Sequence, residues 1–150
     1  MQHFKKILVP VDFSTQSAEA VRTAADIARR YEASLTLIHV YDPIAYALPE
    51  GYVLFAPSQL EKMFAAFETQ LAATKQNALE AGAPRVDTRL LQGFVTAEIV
   101  DFASRAEADL IVMGTHGRRG LSHVVLGSVA ERVVRMAPCA VLTVKGAKLQ

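Results

Sequence analysis

The chain has 150 residues, of which 51% are hydrophobic, and its 16 basic and 15 acidic side chains give a formal net charge of +1. This length suits a single domain, residues 1–150, with a substantial core, and the balanced charge argues against a nucleic-acid-binding or polyanion-binding protein. The single cysteine, Cys139, excludes an intramolecular disulfide framework, and no N-terminal apolar segment resembles a signal peptide or membrane span, so we expect a cytoplasmic protein with no membrane partner.

The first part of the chain alternates strand and helix patterns. Lys6 to Asp12 reads as a first strand, Ser14 to Tyr31 as an amphipathic helix, and Ser34 to Val40 as a second strand. Asp42 to Pro57 contains three prolines and a glycine, which predict an irregular loop of unusual length.

The rest of the chain continues the alternation. Ser58 and Glu61 have the spacing of a capping box at the start of a long helix. The predicted elements are a helix from Ser58 to Ala81, an edge strand from Val86 to Leu91, a helix from Thr96 to Ala106, a strand from Leu110 to Met113, a helix from Ser128 to Met136 and a strand from Ala140 to Lys145. Strands that alternate with helices predict an α/β fold: a doubly wound five-stranded parallel sheet with helices on both faces. The pattern alone leaves the strand order open.

The segment 109–128, DLIVMGTHGRRGLSHVVLGS, carries the clearest functional signal. A buried strand ends at Gly114, three further glycines, Gly117, Gly120 and Gly127, allow close backbone approaches, and a helix follows at Ser128. The free N–H groups and the dipole of a helix N-terminus favour an anion. This arrangement predicts a phosphate-binding loop.

The spacing of Gly114, Gly117, Gly127 and Ser128 resembles the G-x2-G-x9-G-[ST] signature of the ATP-binding branch of the universal stress protein family. The segments ILVPVDFS, DLIVMGTHGRRGL, LGSVAERVVR and APCAVLTV resemble the same family in the same order. The resemblance covers essentially the whole chain, although family members differ over 42–57 and many have proline where Ala140 stands. It implies the strand order 3-2-1-4-5 of the adenine nucleotide alpha hydrolase-like fold, which is Rossmann-like.

The resemblance also implies an ATP site, with Mg²⁺ carried on the phosphates. The Asp12 carboxylate is expected to reach the ribose or the nearby base, since a carboxylate accepts hydrogen bonds from paired hydroxyls. The residues expected around the nucleoside are Pro10, Val11, Asp12, Val40, Met113 and Gly114. Those expected at the phosphates are Gly117, Arg118, Gly127, Ser128 and Val129.

Each of these polar residues also has a purely structural interpretation. Ser128 and Glu131 have the spacing of a capping box, so the hydroxyl can serve its own helix. Asp12 alone is equally typical of a turn or a helix cap. Arg118 and its neighbour Arg119 are otherwise a solvated pair on a loop.

The sequence argues against several enzyme classes. It contains neither GxxxxGK[ST] nor GxGxxG, and its four histidines and one cysteine lack zinc-site spacing. Hydrolysis needs a base and a positioned water, for which Asp12 and His116 are the only candidates. We therefore expect an ATP-binding stress protein that is regulatory or confers stress resistance, with slow or no turnover. The alternatives are a slow ATPase or adenylate-transferring enzyme, and an interaction module that binds no nucleotide.

The last predicted strand, Ala140 to Lys145, is rich in β-branched residues and is expected at an edge of the sheet, where it invites pairing. Members of the family commonly dimerise through this strand. We therefore expect a two-fold homodimer with antiparallel pairing of this strand, with Val141 and Val144 near the contact.

Overall fold

A computed structural model describes residues 3–42, 55–116 and 126–146. Its elements are β1 (Lys6–Pro10), α1 (Thr15–Tyr31), β2 (Ser34–Tyr41), α2 (Pro57–Glu80), β3 (Arg85–Gln92), α3 (Val95–Arg105), β4 (Leu110–Gly114), α4 (Ser128–Met136) and β5 (Ala140–Val144). Most of the predicted loop at 42–57 lies outside the described residues, as do Gly117, Arg118 and Arg119.

The five strands form one parallel sheet in the order β3-β2-β1-β4-β5. This confirms the doubly wound fold, the strand order implied by the resemblance and the placement of β3 and β5 at the edges. The chain winds one way from β1 to β2 and β3, and the other way to β4 and β5. The winding therefore reverses between β1 and β4, and a crevice is expected beyond their carboxyl ends.

Two apolar clusters cover the two faces of the sheet. Ile7 and Val9 pack with α1 and α2 on one face, whereas Leu8 packs with α3 and α4 on the other, as the twofold alternation of a strand requires. Small residues dominate the buried face of α1, which lets the helix lie close to the sheet; besides Ser17 and Val21 they are Ala20, Ala24, Ala25 and Ala28. Each fully buried Ile or Leu contributes roughly 1.5–3 kcal/mol relative to exposure, so the two clusters hold the strand ends in fixed positions.

The start of α2 differs from the prediction. The helix begins at Pro57 with Ala56 as its N-cap, so the predicted capping box of Ser58 and Glu61 is wrong. Proline is favoured in the first helical position, and the Gln59 side chain then accepts from the Ala56 N–H at 2.8 Å. Elsewhere the predicted ends of the elements differ by no more than two residues, as with α3, which begins at Val95.

Within the three described ranges, no helix combines the length and apolar character needed to cross a membrane.

Candidate functional site

The crevice expected from the topology lies beyond the ends of β1 and β4, which are neighbours in the sheet. Hydrogen bonds tie the segments around it together: the Gln16 side chain at the start of α1 accepts from the His116 N–H at 2.9 Å. Just before α4, the Gly127 N–H donates to the Thr115 carbonyl at 2.6 Å. The N-termini of α1 and α4 therefore both meet the end of β4.

Asp12 leaves β1 at the edge of this crevice and helps form the turn into α1. Its Oδ1 accepts from the Ser14 N–H at 3.0 Å, and its own N–H donates to Ser17 Oγ at 3.2 Å. The Ser14 hydroxyl in turn caps α1 by accepting from the Ser17 N–H at 3.2 Å. Asp12 thus has a structural role that uses one carboxylate oxygen, whereas Oδ2 has no hydrogen bond to a described residue.

Phe13, directly after Asp12, has a left-handed backbone conformation with φ of 65°. Such a conformation costs a bulky residue about 1–3 kcal/mol and persists only where the surroundings enforce it. The Phe13 ring packs against the His39 ring, with 4.6 Å between centroids. A residue with a strained backbone therefore directly follows the residue that bears the candidate carboxylate.

The α3/α4 face of the crevice has an apolar wall. Val40 and Met113 each lie one residue before the end of a strand, with 9% and 5% of their surface exposed, and Val129 and Leu126 pack against the same cluster. Such a wall suits the faces of a base and a sugar. Three of the predicted nucleoside and phosphate residues, Val40, Met113 and Val129, are therefore brought together.

Pro10 and Val11 carry the chain from β1 to Asp12. Pro10 is half-buried at the end of β1, whereas the Val11 side chain packs in the α1/α2 cluster. The Val11 N–H donates to the Ile38 carbonyl at 2.8 Å, and the Val11 carbonyl lies 2.7 Å from His39 Nδ1. Val11 thus helps to place Asp12 through bonds within the fold.

The first turn of α4 presents unbonded donors. The first hydrogen bond of the helix runs from the Glu131 N–H to the Gly127 carbonyl at 2.9 Å, so the N–H groups of Ser128, Val129 and Ala130 have no partner within the helix. They also have none among the other described residues. Such a turn favours an anion, because it combines donors that are unpaired among the described residues with the positive end of the helix dipole.

The predicted capping box at α4 is absent. Gly127, not Ser128, is the N-cap, the Ser128 side chain makes no capping bond, and Glu131 pairs instead with Arg135. The structural alternative for the Ser128 hydroxyl is therefore wrong. Gly127 is required by space, since a Cβ there would lie 2.9 Å from the Thr115 carbonyl oxygen.

The sequence interpretation missed three residues that shape the site, Gln16, Thr115 and His39. Gln16 Oε1 accepts from Thr115 Oγ1 at 3.4 Å as well as from the His116 N–H. The Gln16 side chain also packs on Gly114, where an added Cβ would lie 3.2 Å from Gln16 Cβ. The only signal for Gln16 was a polar side chain in the first turn of a helix.

Two further polar features of the described residues are a groove and a thiol. A groove of about 570 Å³ runs between α1 and α2; it is lined by side chains such as Arg22 and Asn77 and also by Phe13, so it reaches the turn beside the crevice. Burial, together with the Asp109 charge, raises the pKa of the Cys139 thiol, which keeps it protonated and weakly nucleophilic near neutral pH. Within the described ranges, no three His, Cys, Asp or Glu side chains group as metal ligands.

A doubly wound parallel sheet with the order 3-2-1-4-5, a carboxylate after β1 and open helix donors beyond β4 define an α/β protein of the adenine nucleotide alpha hydrolase-like fold. The sequence profile of the universal stress protein family matches residues 3–145. A universal stress protein of Methanocaldococcus jannaschii is 41% identical over 146 residues, which cover 97% of this chain and 84% of that protein. The chain belongs to the universal stress protein family.

Two solved structures are similar over nearly the whole chain. The universal stress protein UspA from Lactobacillus plantarum has a TM-score of 0.80 and 32% identity, covering 95% of this chain and 98% of that one. A universal stress protein in complex with cAMP has a TM-score of 0.73 and 26% identity, covering 97% of this chain and 99% of that one. The similarity confirms the fold, and one of these relatives holds an adenine nucleotide.

Proposed function

We propose that this protein binds an adenine nucleotide, preferably ATP, in the crevice between the ends of β1 and β4. One observation carries the proposal: the N–H groups of Ser128, Val129 and Ala130 have no partner among the described residues. They lie at the carboxyl end of the sheet, as does the Asp12 carboxylate. A ligand with phosphates at one end and hydroxyls at the other matches that pairing. The cAMP complex of the relative supports the same ligand class.

Different residues are assigned to different parts of ATP. Asp12 Oδ2 accepts hydrogen bonds from the ribose hydroxyls. The residues around the nucleoside are Pro10, Val40, Met113 and Gly114. The phosphates occupy the start of α4 at Gly127, Ser128 and Val129, with Gly117 and Arg118 completing the site. Mg²⁺ accompanies ATP by binding its phosphates, and it adds charge neutralisation there without a set of protein ligands.

We propose that the protein acts in the cytoplasm by changing between nucleotide-bound and free forms rather than by rapid turnover of ATP. In the proposed arrangement Asp12 binds the ribose rather than the γ-phosphate, and His116 Nδ1 lies 3.0 Å from Thr115 Oγ1, so neither candidate base is assigned to a water at the γ-phosphate. We expect ATP turnover to be slow or absent, and a partner protein to recognise the difference between nucleotide-bound and free forms. A slow ATPase or adenylate-transferring enzyme is the second candidate, because Asp12 and His116 both border the crevice.

Titration calorimetry of nucleotide-stripped protein with Mg-ATP, ADP, AMP and cAMP tests the proposal. Asp12→Asn keeps the acceptor for Ser14 but removes the charge, so we expect an unchanged melting temperature and a roughly 10- to 100-fold weaker affinity for Mg-ATP, the worth of a charged hydrogen bond. Asp87→Asn is the control, because it removes the same charge from an exposed position on β3.

Folded wild-type protein that binds no nucleotide at millimolar concentration would contradict the proposal and favour an interaction module. Equal affinities of the wild type and Asp12→Asn would remove Asp12 from the site. Release of product in proportion to protein, abolished by Asp12→Ala, would favour the slow enzyme instead.

We also propose a two-fold homodimer through antiparallel pairing of β5. This edge carries apolar residues from Ala140 to Val144, with Leu142 exposed, and the neighbouring α4 exposes Val134 and Met136. The opposite edge, β3, instead exposes Arg85, Asp87 and Arg89, and charged side chains discourage pairing.

A further inference from the structure

His39 contacts the residues on both sides of Asp12. Its Nδ1 lies 2.7 Å from the carbonyl oxygen of Val11, the residue before Asp12. Its ring packs against Phe13, the residue after Asp12, with 4.6 Å between centroids at 35°. Because a carbonyl oxygen only accepts hydrogen bonds, Nδ1 carries the proton in this contact.

The same histidine continues into a row of aromatic rings that reaches α2. The His39 and Phe67 centroids are 4.6 Å apart, Phe67 and Tyr41 are 5.9 Å apart, and Tyr41 and Phe64 are 5.2 Å apart. Phe64 and Phe67 belong to α2. The half-buried His39 ring thus joins the turn that bears Asp12 to a helix that supplies none of the predicted site residues.

The turn needs this external support. Phe13 has a φ of 65°, a region that side chains rarely adopt, and the hydrogen bonds of Asp12 hold the turn only to the start of α1. On the side of the sheet, the bond from His39 holds the Val11 carbonyl, beside a backbone bond from the Val11 N–H to β2, and the His39 ring packs on the Phe13 ring. One side chain of β2 thus contacts both ends of the turn, across 28 residues in the case of Val11.

We propose that His39 is a positioning residue: it holds the turn from Val11 to Phe13 so that the Asp12 carboxylate faces the crevice, and through Phe67 it links Asp12 to α2. A displacement of α2 then changes the affinity of the crevice for its ligand. The affinity part of this inference rests on the proposed nucleotide binding, whereas the part about the turn does not.

Two substitutions separate the two functions of the imidazole. His39→Phe keeps a ring between Phe13 and Phe67 but removes the donor to Val11. His39→Asn places an amide N–H where Nδ1 stands and removes the ring. Tyr41→Phe is the control, because it removes a different hydrogen bond of the same row, 2.8 Å to Gln92 Oε1, and keeps every ring.

Two measurements apply to each full-length variant: hydrogen exchange of the Ser14 amide without ligand, and the Kd for Mg-ATP by calorimetry. We expect His39→Phe to exchange the Ser14 amide about tenfold faster and to bind Mg-ATP about tenfold more weakly, the effect of one lost hydrogen bond. His39→Asn recovers most of the affinity although it melts at a lower temperature, and Tyr41→Phe resembles the wild type in both measurements.

A purely structural role for His39 predicts that affinity follows melting temperature, with His39→Asn the weaker binder, and this result would overturn the inference. If the Ser14 amide of His39→Phe exchanges at the same rate as in the wild type, that result would overturn the inference as well. If His39→Phe does not fold, His39→Gln, whose amide extends beyond the Nδ1 position, replaces it with the same expectations. A wild type that binds no nucleotide would refute the proposed function alone, because Ser14 exchange still decides whether His39 positions the turn.

Discussion

At the scale of single residues, Asp12 is a turn former whose carboxylate keeps one oxygen without a partner among the described residues. Its Oδ1 accepts from the Ser14 N–H, which orients the carboxylate. The two interpretations of Asp12 from sequence were alternatives, but the geometry makes them compatible. A carboxylate held on one side loses less rotational freedom when it binds.

The strained residue beside it gives a test of the backbone itself. We expect Phe13→Gly to be more stable than Phe13→Ala by about 1 kcal/mol, because both lose the ring but only glycine adopts φ of 65° without strain. Denaturant unfolding of both variants measures the difference. Glu68 is an exposed position inside α2 and serves as the control. There we expect Glu68→Gly to be less stable than Glu68→Ala, since glycine is less favourable than alanine in a helix. A more stable alanine variant at position 13 would mean that the turn relaxes.

At the scale of elements, the first turn of α4 shows what local patterns report and what they omit. The predicted start of this helix at Ser128 is correct, but the cap is Gly127 because the backbone of Gly127 approaches the Thr115 carbonyl. That approach joins residues 12 positions apart, and Gln16 and His116 are 100 apart. Hydrophobic periodicity reports which residues are buried, not which segments meet, so the helices and strands were predictable whereas these contacts were not.

We expect Gly127→Ala to weaken Mg-ATP binding at least about tenfold and to destabilise the fold by about 1–3 kcal/mol, because the new Cβ forces the Thr115 carbonyl and the helix start apart. Ser128→Ala is the comparison. It should change the free energy of unfolding by less than about 0.5 kcal/mol, well below the ~1 kcal/mol of a lost cap, since its hydroxyl caps nothing. Calorimetry and denaturant unfolding measure both variants. If Ser128→Ala lowers the free energy of unfolding by the ~1 kcal/mol of a lost cap, the assignment of Gly127 as N-cap is contradicted.

At the scale of the whole molecule, the alternation of strands and helices sufficed to predict the class of fold. Strand order was beyond the pattern, because a parallel strand buried on both faces has the same composition wherever it lies in the sheet. The resemblance to a known family supplied the order, and with it the pairing of β1 with β4. The candidate site therefore depends on the topology as well as on the local glycine pattern.

The unequal edges of the sheet lead to a prediction about assembly. We expect a dimer at micromolar concentration that Leu142→Glu converts to monomer, because the substitution places a charge in the middle of the proposed β5 contact. Leu79→Glu is matched to it, since Leu79 on α2 is equally exposed at 37% but lies far from β5 in the fold, and it should remain dimeric. Analytical ultracentrifugation distinguishes the two states, and a monomeric wild type would contradict the proposal.

The short hydrogen bond from the Gly127 N–H to the Thr115 carbonyl also bears on the entropy of the chain. It holds the residues on either side of the intervening segment at a fixed separation beside the sheet, so part of the entropy of closing that segment is lost on folding. A ligand that binds at the start of α4 would therefore contact donors whose positions the fold has already fixed, which lowers the entropy cost of binding.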